Sequence, residues 1–383
     1  MLKNLLGIRL ALKMGKPGSE PKLVPKEVIT ALTNVEITDN AVERDVFQMT
    51  FSLGKNQPRD YSLLRTGLFQ PRTRVAIVLQ IGASVEPLIS GVITHFQLNP
   101  SNEAGMSSFT VTGDGIDLML DLEERNDKFE RHSDTTIVQQ LVDKYAKFGL
   151  ILNVAAEAQK LQPPDGNRLI PRQYATDLEY IQQMAERNGF VFYADPLPSG
   201  KVNVYWGPEN RKGSAQPALT MNMGSATNVT RLNFTQDTRV PLTAQGDRLP
   251  VDGKNKTDES ISPPTEFDVE DLAAEKAFVD RVVLMRDIAK YPTERARQRS
   301  TELMKARFGA VSANGEVDTV RYGHILRAGL LVGVRGAGAL YNGDYYVSKV
   351  THTIEYSKST QRYTQSFELK RESLGAKKDK ETT

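Results

Sequence analysis

The chain of 383 residues contains no cysteine, so disulfide bonds and thiolate metal sites are excluded. It also lacks a charge excess, because 49 lysines and arginines face 47 aspartates and glutamates and leave a formal net charge of +2. Proteins dedicated to nucleic acids usually gather a basic excess on one face, so we expect no nucleic acid as a specific ligand. Apolar residues at 39% and charged residues at 25% are typical of a folded globular protein.

Long apolar runs are scarce, and the N-terminal stretch is the main place to look for one. Residues 1–15 are apolar and basic, but Arg9 and Lys13 interrupt them, so no clean signal-peptide core remains. The stretch is also too short to cross a bilayer, and we expect no membrane contact. Four leucines fall near one helical face: Leu2, Leu5, Leu6 and Leu10. Two interpretations stay open, an amphipathic docking helix and a partly ordered arm.

Most of the remaining chain is patterned for β-structure. Short alternating or continuous apolar stretches recur between residues 28 and 123, with turn residues between them, and predict a sandwich or barrel. A second β-rich segment, punctuated by glycines, covers residues 315–371. Between the two, residues 125–208 carry helical periodicity mixed with strand patterns and predict an α/β domain.

Three helices are predicted. Apolar spacing favours the first over 134–148, before Gly149. The second begins at Thr176, where Glu179 completes a capping box. The third covers 293–308, with a proline at its first turn.

The predicted fold class is mainly β with an α/β insert, in six segments. These are an N-terminal arm (1–25), a first β-barrel (26–124, completed by about 215–240), the inserted α/β domain (125–214), a linker (241–291), a helix with a second β-barrel (292–371) and a disordered tail (372–383).

Two hairpins echo each other within the sequence. Thr94-His95 and Ser108-Phe109 in the first match Thr351-His352 and Ser366-Phe367 in the second. The offsets are 257 and 258 residues, so the loops would differ by one residue. The echo favours two related barrels in one chain, with a shared structural role for His95 and His352.

Residues that could carry chemistry are sparse. The other histidines, His132 and His324, complete no metal-ligand spacing, so we predict no metal site. The acidic pairs Glu123-Glu124 and Glu270-Asp271 could serve a glycoside hydrolase only if they faced a sugar from opposite sides; a solvated face is the simpler interpretation. We therefore predict no catalytic residue.

Glycines and tyrosines in the last segment invite functional interpretations that the pattern does not favour. The run Gly333–Gly338 lacks the Lys-Ser/Thr of a phosphate loop and is better explained by turns, so no cofactor is predicted. At period two along strands, tyrosines are more often half core and half interface than a ligand platform. The tyrosines in question are Tyr341, Tyr345, Tyr346, Tyr356 and Tyr363.

Two sequence motifs, taken in their order along the chain, resemble those of one protein family. Residues 176–190 (TDLEYIQQMAERNGF) are similar to the DLxFLxRLAExxGF stretch of baseplate hub proteins. This group includes hubs of contractile-tailed phages, phage late control gene D proteins and the VgrG spike proteins of type VI secretion. Residues 325–352, with GDYYVSKVTH at their end, resemble the closing barrel of that family. The resemblance covers most of residues 26–371.

The resemblance implies a structural protein and not an enzyme. Hubs of this family carry two tube-like barrels per chain and form homotrimers, whose six barrels adapt a sixfold tail tube to a threefold spike. The implied partners are the spike protein, the tail tube or tube-initiator protein, wedge or LysM-type baseplate proteins and the tape-measure protein. The implied location is the baseplate of a virion or injection particle, assembled in the bacterial cytoplasm. VgrG chains continue from the closing barrel into a spike. For this chain, whose closing barrel ends near Arg371, the resemblance implies that the spike is a separate protein, as it is for the gene D hubs.

Two other functions remain open. One is a cell-wall (peptidoglycan) hydrolase associated with a phage tail, which would use an acidic pair such as Glu123 and Glu124. The other is a single-barrel carrier or tube protein with extra domains, which the length of the chain disfavours.

Overall fold

A computed structural model describes most of the chain. The described residues are 2–5, 8–16, 19–57, 60–82, 84–103, 105–161, 163, 170–240, 242–248, 259–261, 272–275, 281–285, 296, 300, 303, 306–356 and 361–376. Over these residues the predicted fold class is confirmed, with two β-barrels and an α/β insert. None of their helices has the length and apolarity needed to cross a membrane.

The first barrel is built from the N-terminal third. Its elements are β1 (Leu2–Leu5), β2 (Ile8–Gly15), β3 (Lys22–Leu23), α1 (Lys26–Ala31), β4 (Leu32–Asn40), β5 (Val46–Ser52), β6 (Lys55–Gln57), β7 (Asp60–Tyr61), β8 (Arg74–Ile81), β9 (Ser84–Asn99) and β10 (Ser108–Gly115). Alternation explains its core: Phe47, Met49 and Phe51 of β5 are buried, while Gln48 between them is exposed.

The α/β insert follows, with two helices against a small sheet. Its elements are β11 (Glu124–Arg125), α2 (Asp134–Asp143), β12 (Leu150–Val154), β13 (Ala175–Thr176), α3 (Asp177–Arg187), β14 (Val191–Pro196) and β15 (Val202–Gly207). The capping box is confirmed: the Thr176 hydroxyl accepts from the Glu179 amide at 3.2 Å, and the Glu179 carboxylate accepts from the Thr176 amide at 3.3 Å. Buried Trp206 and Ile181 centre the core of this domain.

The second barrel closes the chain. The elements after the insert are β16 (Gln216–Thr220), β17 (Val229–Gln236), β18 (Leu242–Arg248), β19 (Glu259–Ile261), β20 (Arg281–Leu284), β21 (Val311–Asp318), α4 (Thr319–Tyr322), β22 (Leu331–Arg335), β23 (Gly343–Tyr356) and β24 (Gln361–Arg371).

Five strands of each barrel repeat the same plan. In the first barrel the sheet order is β8-β9-β10-β5-β4, and in the second it is β22-β23-β24-β21-β17. The order along the chain also matches: the first strand of each set, β4 or β17, lies at one end of the set and pairs with the second, β5 or β21. The two sets are duplicates in topology, and we call them the first and the second repeat.

The strand register shows that the two repeats also correspond residue by residue. A bulge at Thr94 in β9 corresponds to one at Ser348 in β23, an offset of 254 residues. Both hydroxyls donate to the neighbouring strand, to the carbonyls of Thr112 and Glu368. A second pair of bulges, at Thr33 in β4 and Thr230 in β17, is offset by 197 residues. Bulges of this kind are retained features of a fold rather than defects.

The predicted hairpin echo is correct for the strands and wrong for the residues. With an offset of 254, His95 corresponds to Lys349, and His352 corresponds to Leu98. The environments differ accordingly: His95 is exposed and His352 is fully buried. The predicted shared role for the two histidines is therefore wrong. The sequence match that paired them is shifted by three residues from the alignment that the bulges define.

The N-terminal docking helix is wrong. Residues 8–15 form β2, which pairs antiparallel with β8 along its whole length. Leu10, Leu12 and Met14 are buried, while Arg9 is exposed. This spacing has period two, so it suits a strand that covers one side of the barrel. Part of the expected arm is thus a barrel strand.

Three other boundary predictions change. Residues 216–220 and 229–236 belong to the second barrel and not the first, because β16 pairs with β22 and β17 with β21. Within the expected linker, β18 pairs with β19 and β20. The expected disordered tail begins with buried Glu372 and Ser373.

Some predictions fall outside the described residues. They concern most of the helix expected over 293–308, Glu270 and Asp271, and the end of the tail at 377–383.

Candidate interaction site at the junction of the two barrels

The two repeats are joined by main-chain pairing. Strand β4 runs antiparallel to the distal half of β23, from Asn40 opposite Lys349 to Asn34 opposite Glu355. The Ala41 amide donates to the Ser348 carbonyl at 3.0 Å, at the bulge. The hydroxyls of Thr38 and Thr351 lie 3.4 Å apart across the pair. One sheet therefore continues from the first repeat into the second.

The bulge at Ser348 divides one edge of β23 between two partner strands, while β24 pairs with its other edge. Before Ser348 the strand pairs with β22, and after it the strand pairs with β4. In the first repeat, β9 before Thr94 likewise pairs with β8. Its distal half, residues 94–99, pairs with β10 on one side only, within the described part of the chain.

Strand β17 leaves another open edge at the end of the main sheet, within the described part of the chain. It is the counterpart of β4, yet among the described strands it pairs only with β21. Its residues are mostly exposed, and Phe234 is half-buried against Tyr341, with ring centroids 4.8 Å apart. On the β9 edge, Leu98 is 44% exposed. Unpaired strand edges expose main-chain donors and acceptors that can bind another chain.

Buried carboxylates lie beside the junction. Asp39 on β4 accepts a hydrogen bond from the Ala328 amide at 3.0 Å. Desolvation by burial raises its pKa to about 6, although the nearby Arg327 guanidinium acts in the opposite direction. Burial also raises the pKa of Asp45, and the charge of Asp39 adds to that effect. Arg327 lies 3.6 Å from Glu86, so it links the loop before β22 to β9 of the first repeat.

His352 belongs to the same buried region. Its Nδ1 lies 2.9 Å from the Tyr363 hydroxyl. Burial lowers its pKa to about 3, so the ring is neutral over the physiological range. The neighbouring Gln365 accepts from the Leu326 amide at 2.7 Å and donates to the carbonyl of His324 at 2.9 Å. These contacts order the loop before β22 and have the character of a structural core.

A buried ion cluster ties the insert to the end of β24 and the residue that follows it. Arg211 contacts Glu209 at 3.3 Å and Glu372 at 2.6 Å, and its guanidinium stacks 4.0 Å from the Phe308 ring. Lys370 approaches Glu209 at 2.7 Å. Sequence reasoning missed this cluster because Arg211 and Glu372 are 161 residues apart in the chain.

The other residues that the sequence analysis considered for catalysis or metal binding do not come together in one site. Glu123 and Glu124 are exposed, and Glu123 pairs with Arg125 at 2.8 Å. His324 is exposed as well, and His132 is half-buried. Within the described ranges, no cluster of three or more His, Asp or Glu side chains could hold a metal ion.

The tyrosines of the second barrel form core more than surface. Tyr345, Tyr346, Tyr356 and Tyr363 are buried, and Tyr341 is half-buried. In the glycine run, Gly336 has φ of +80° and a Cβ there would lie 1.7 Å from the Met221 carbonyl oxygen. Glycine is needed at this turn so that β16 can lie against β22.

Comparison with models of known protein families assigns the chain to a family. A family model described as the Alg8 N-terminal domain matches residues 24–356. Among curated protein sequences, none matches the chain.

Solved structures share the fold at low sequence identity. A tail protein from Neisseria meningitidis MC58 is 13% identical with a TM-score of 0.62, covering 94% of this chain and 96% of its own. The 43 kDa tail protein of prophage MuSo2 from Shewanella oneidensis is 13% identical with a TM-score of 0.59, covering 95% and 98%. An E. coli type VI secretion component, described as similar to the T4 bacteriophage tail proteins gp27 and gp5, is 13% identical with a TM-score of 0.57, covering 96% and 79%.

Proposed function

This chain belongs to the Alg8 N-terminal domain family, and we propose that it is the structural baseplate hub of a contractile tail or injection system. In this proposal three copies form a ring of six barrels, which meets a sixfold tail tube on one side and a threefold spike on the other. The observation that carries it is the residue-level duplication of the five-strand repeat, with one sheet continuous across the β4–β23 junction.

Duplication is a means of matching symmetries. A trimer of single barrels would offer three equivalent positions, whereas a trimer of duplicated barrels offers six similar ones. The fold shared with tail proteins and a type VI secretion component supports this role. The function then lies in surfaces and not in catalysis, and the partners are the spike, the tube or its initiator, wedge proteins and the tape-measure protein. The location is the baseplate of the particle, after assembly in the bacterial cytoplasm.

Mass photometry of the purified chain, followed by electron microscopy of the largest species, tests the proposal. We expect a mass of three chains and a ring with six similar lobes. A chain that stays monomeric at every concentration, and binds neither tube nor spike protein, would contradict it.

A further inference from the structure

We infer that the open edge of β17 in one copy pairs antiparallel with the distal half of β9 in a second copy. The inference rests on the proposed function, which requires a ring of this chain. The β4–β23 junction inside the chain would then be repeated between chains, because β17 is the counterpart of β4 and β9 is the counterpart of β23.

The internal junction specifies the register between copies. Applying the offsets of 254 and 197 residues to the observed pairs gives the expected partners. Lys349 opposite Asn40 becomes His95 opposite Asp237, and Thr351 opposite Thr38 becomes Gln97 opposite Thr235. Continuing along the strands, Leu98 comes to lie opposite Phe234.

Side-chain chemistry agrees with this register. Leu98, exposed in the single chain, corresponds to His352, which is fully buried in the internal junction. Opposite it, Phe234 offers an aromatic ring, and apolar cross-strand pairs stabilise sheets. His95 would lie beside the acidic Asp237. Pro100 ends the pairing, because proline has no amide to donate.

The two edges also specify closure. Each copy has one β17 edge and one open β9 edge, so the contact is head-to-tail. Head-to-tail contacts produce rings when the rotation closes and filaments when it does not. If the contact between chains repeats the geometry within the chain, three copies close through six junctions.

Cysteine cross-linking tests the register, since the natural chain has no cysteine. The Ala41–Ser348 hydrogen bond makes Lys349–Asn40, and every second pair from it, non-hydrogen-bonded. Gln97 and Thr235 fall in that class, where Cα atoms lie about 4.5 Å apart and a disulfide fits. The double variant Gln97→Cys with Thr235→Cys is the test.

Two matched variants control the experiment. Thr38→Cys with Thr351→Cys places the same pair inside the chain and should oxidise to a species of monomer mass. Gln97→Cys with Asn233→Cys shifts the register by two residues and should cross-link poorly. The test variant should give a covalent trimer on a denaturing gel, with dimer as intermediate.

The outcomes separate the inference from the proposed function. A trimer by mass photometry, in which the test variant cross-links no better than the shifted pair, overturns the inference and leaves the hub intact. A persistent monomer overturns the hub and the inference with it. Covalent trimer from the test variant alone supports both.

Discussion

At the scale of single residues, buried Arg211 is expected to contribute strongly to the stability of this fold. Its guanidinium meets two carboxylates, Glu209 and Glu372, in a region closed to water. A buried charge left without its partner is strongly destabilising, whereas an exposed ion pair contributes little. The cluster therefore ties the end of the insert to the end of β24.

We expect Arg211→Met to lower the free energy of unfolding by about 3–5 kcal/mol. Arg362→Met is the matched control, because Arg362 pairs with Glu316 at 2.7 Å on the exposed surface, where about 0–1 kcal/mol is expected. Urea unfolding of the two variants measures the difference. Equal, small losses would contradict the assigned importance of the cluster.

Asp39 makes stability depend on pH. Because burial raises its pKa from 3.8 to about 6, the folded chain retains a proton that the unfolded chain releases in that window. Stability should therefore fall as pH rises from about 4 to 6, and Asp39 contributes up to about 3 kcal/mol of that fall. Asp45 acts in the same direction.

Asp39→Asn should flatten this fall and raise the melting temperature at pH 8, since the amide oxygen can still accept from Ala328. Glu355→Gln removes an exposed carboxylate on the same junction and is the matched control. Melting temperatures between pH 4 and 8 measure both. A profile of Asp39→Asn that parallels the natural protein would contradict the prediction.

At the scale of elements, β2 is the clearest case of a segment whose role depends on its neighbours. It lies along β8 and buries one row of apolar side chains in the core of the first barrel. Leu12 is fully buried in that row, and Arg9 is exposed.

Leu12→Ala should therefore cost about 2–5 kcal/mol in unfolding free energy, as for other large-to-small changes in a core. Arg9→Ala should change it by less than about 0.5 kcal/mol. Chemical denaturation compares the two. A negligible effect of Leu12→Ala would instead fit an arm that lies outside the barrel.

At the scale of the whole molecule, the repeats offer an internal comparison of the same strand edge in two states. The amides of Val35, Ile37 and Asp39 face β23, because their pairs alternate with the non-hydrogen-bonded ones. Their counterparts Leu232, Phe234 and Gln236 face the open side of β17.

Hydrogen exchange should detect this difference. In the monomer, the amides of Leu232, Phe234 and Gln236 should exchange much faster than those of Val35, Ile37 and Asp39. In the assembled trimer they should become comparably protected. Exchange at β17 that does not change on assembly would place the interface elsewhere.

Local patterns were sufficient for most elements. Period-two stretches such as Val46–Ser52 became strands, and the capping box at Thr176 marked the start of α3. These signals are local, since alternation and capping depend on neighbours within a few residues. The resemblance in residues 176–190 pointed to the same fold that the solved tail proteins share.

Only the tertiary structure decided which strands pair and which side chains are equivalent. The sequence by itself favoured a duplicated chain and offered no catalytic motif, but the repeated Thr-His pair led to a wrong match of His95 with His352. Register depends on bulges at Thr94 and Ser348, and membership of β16 and β17 in the second barrel depends on partners about 80 to 120 residues away. Such pairings are set by packing across the whole fold, which local patterns do not encode.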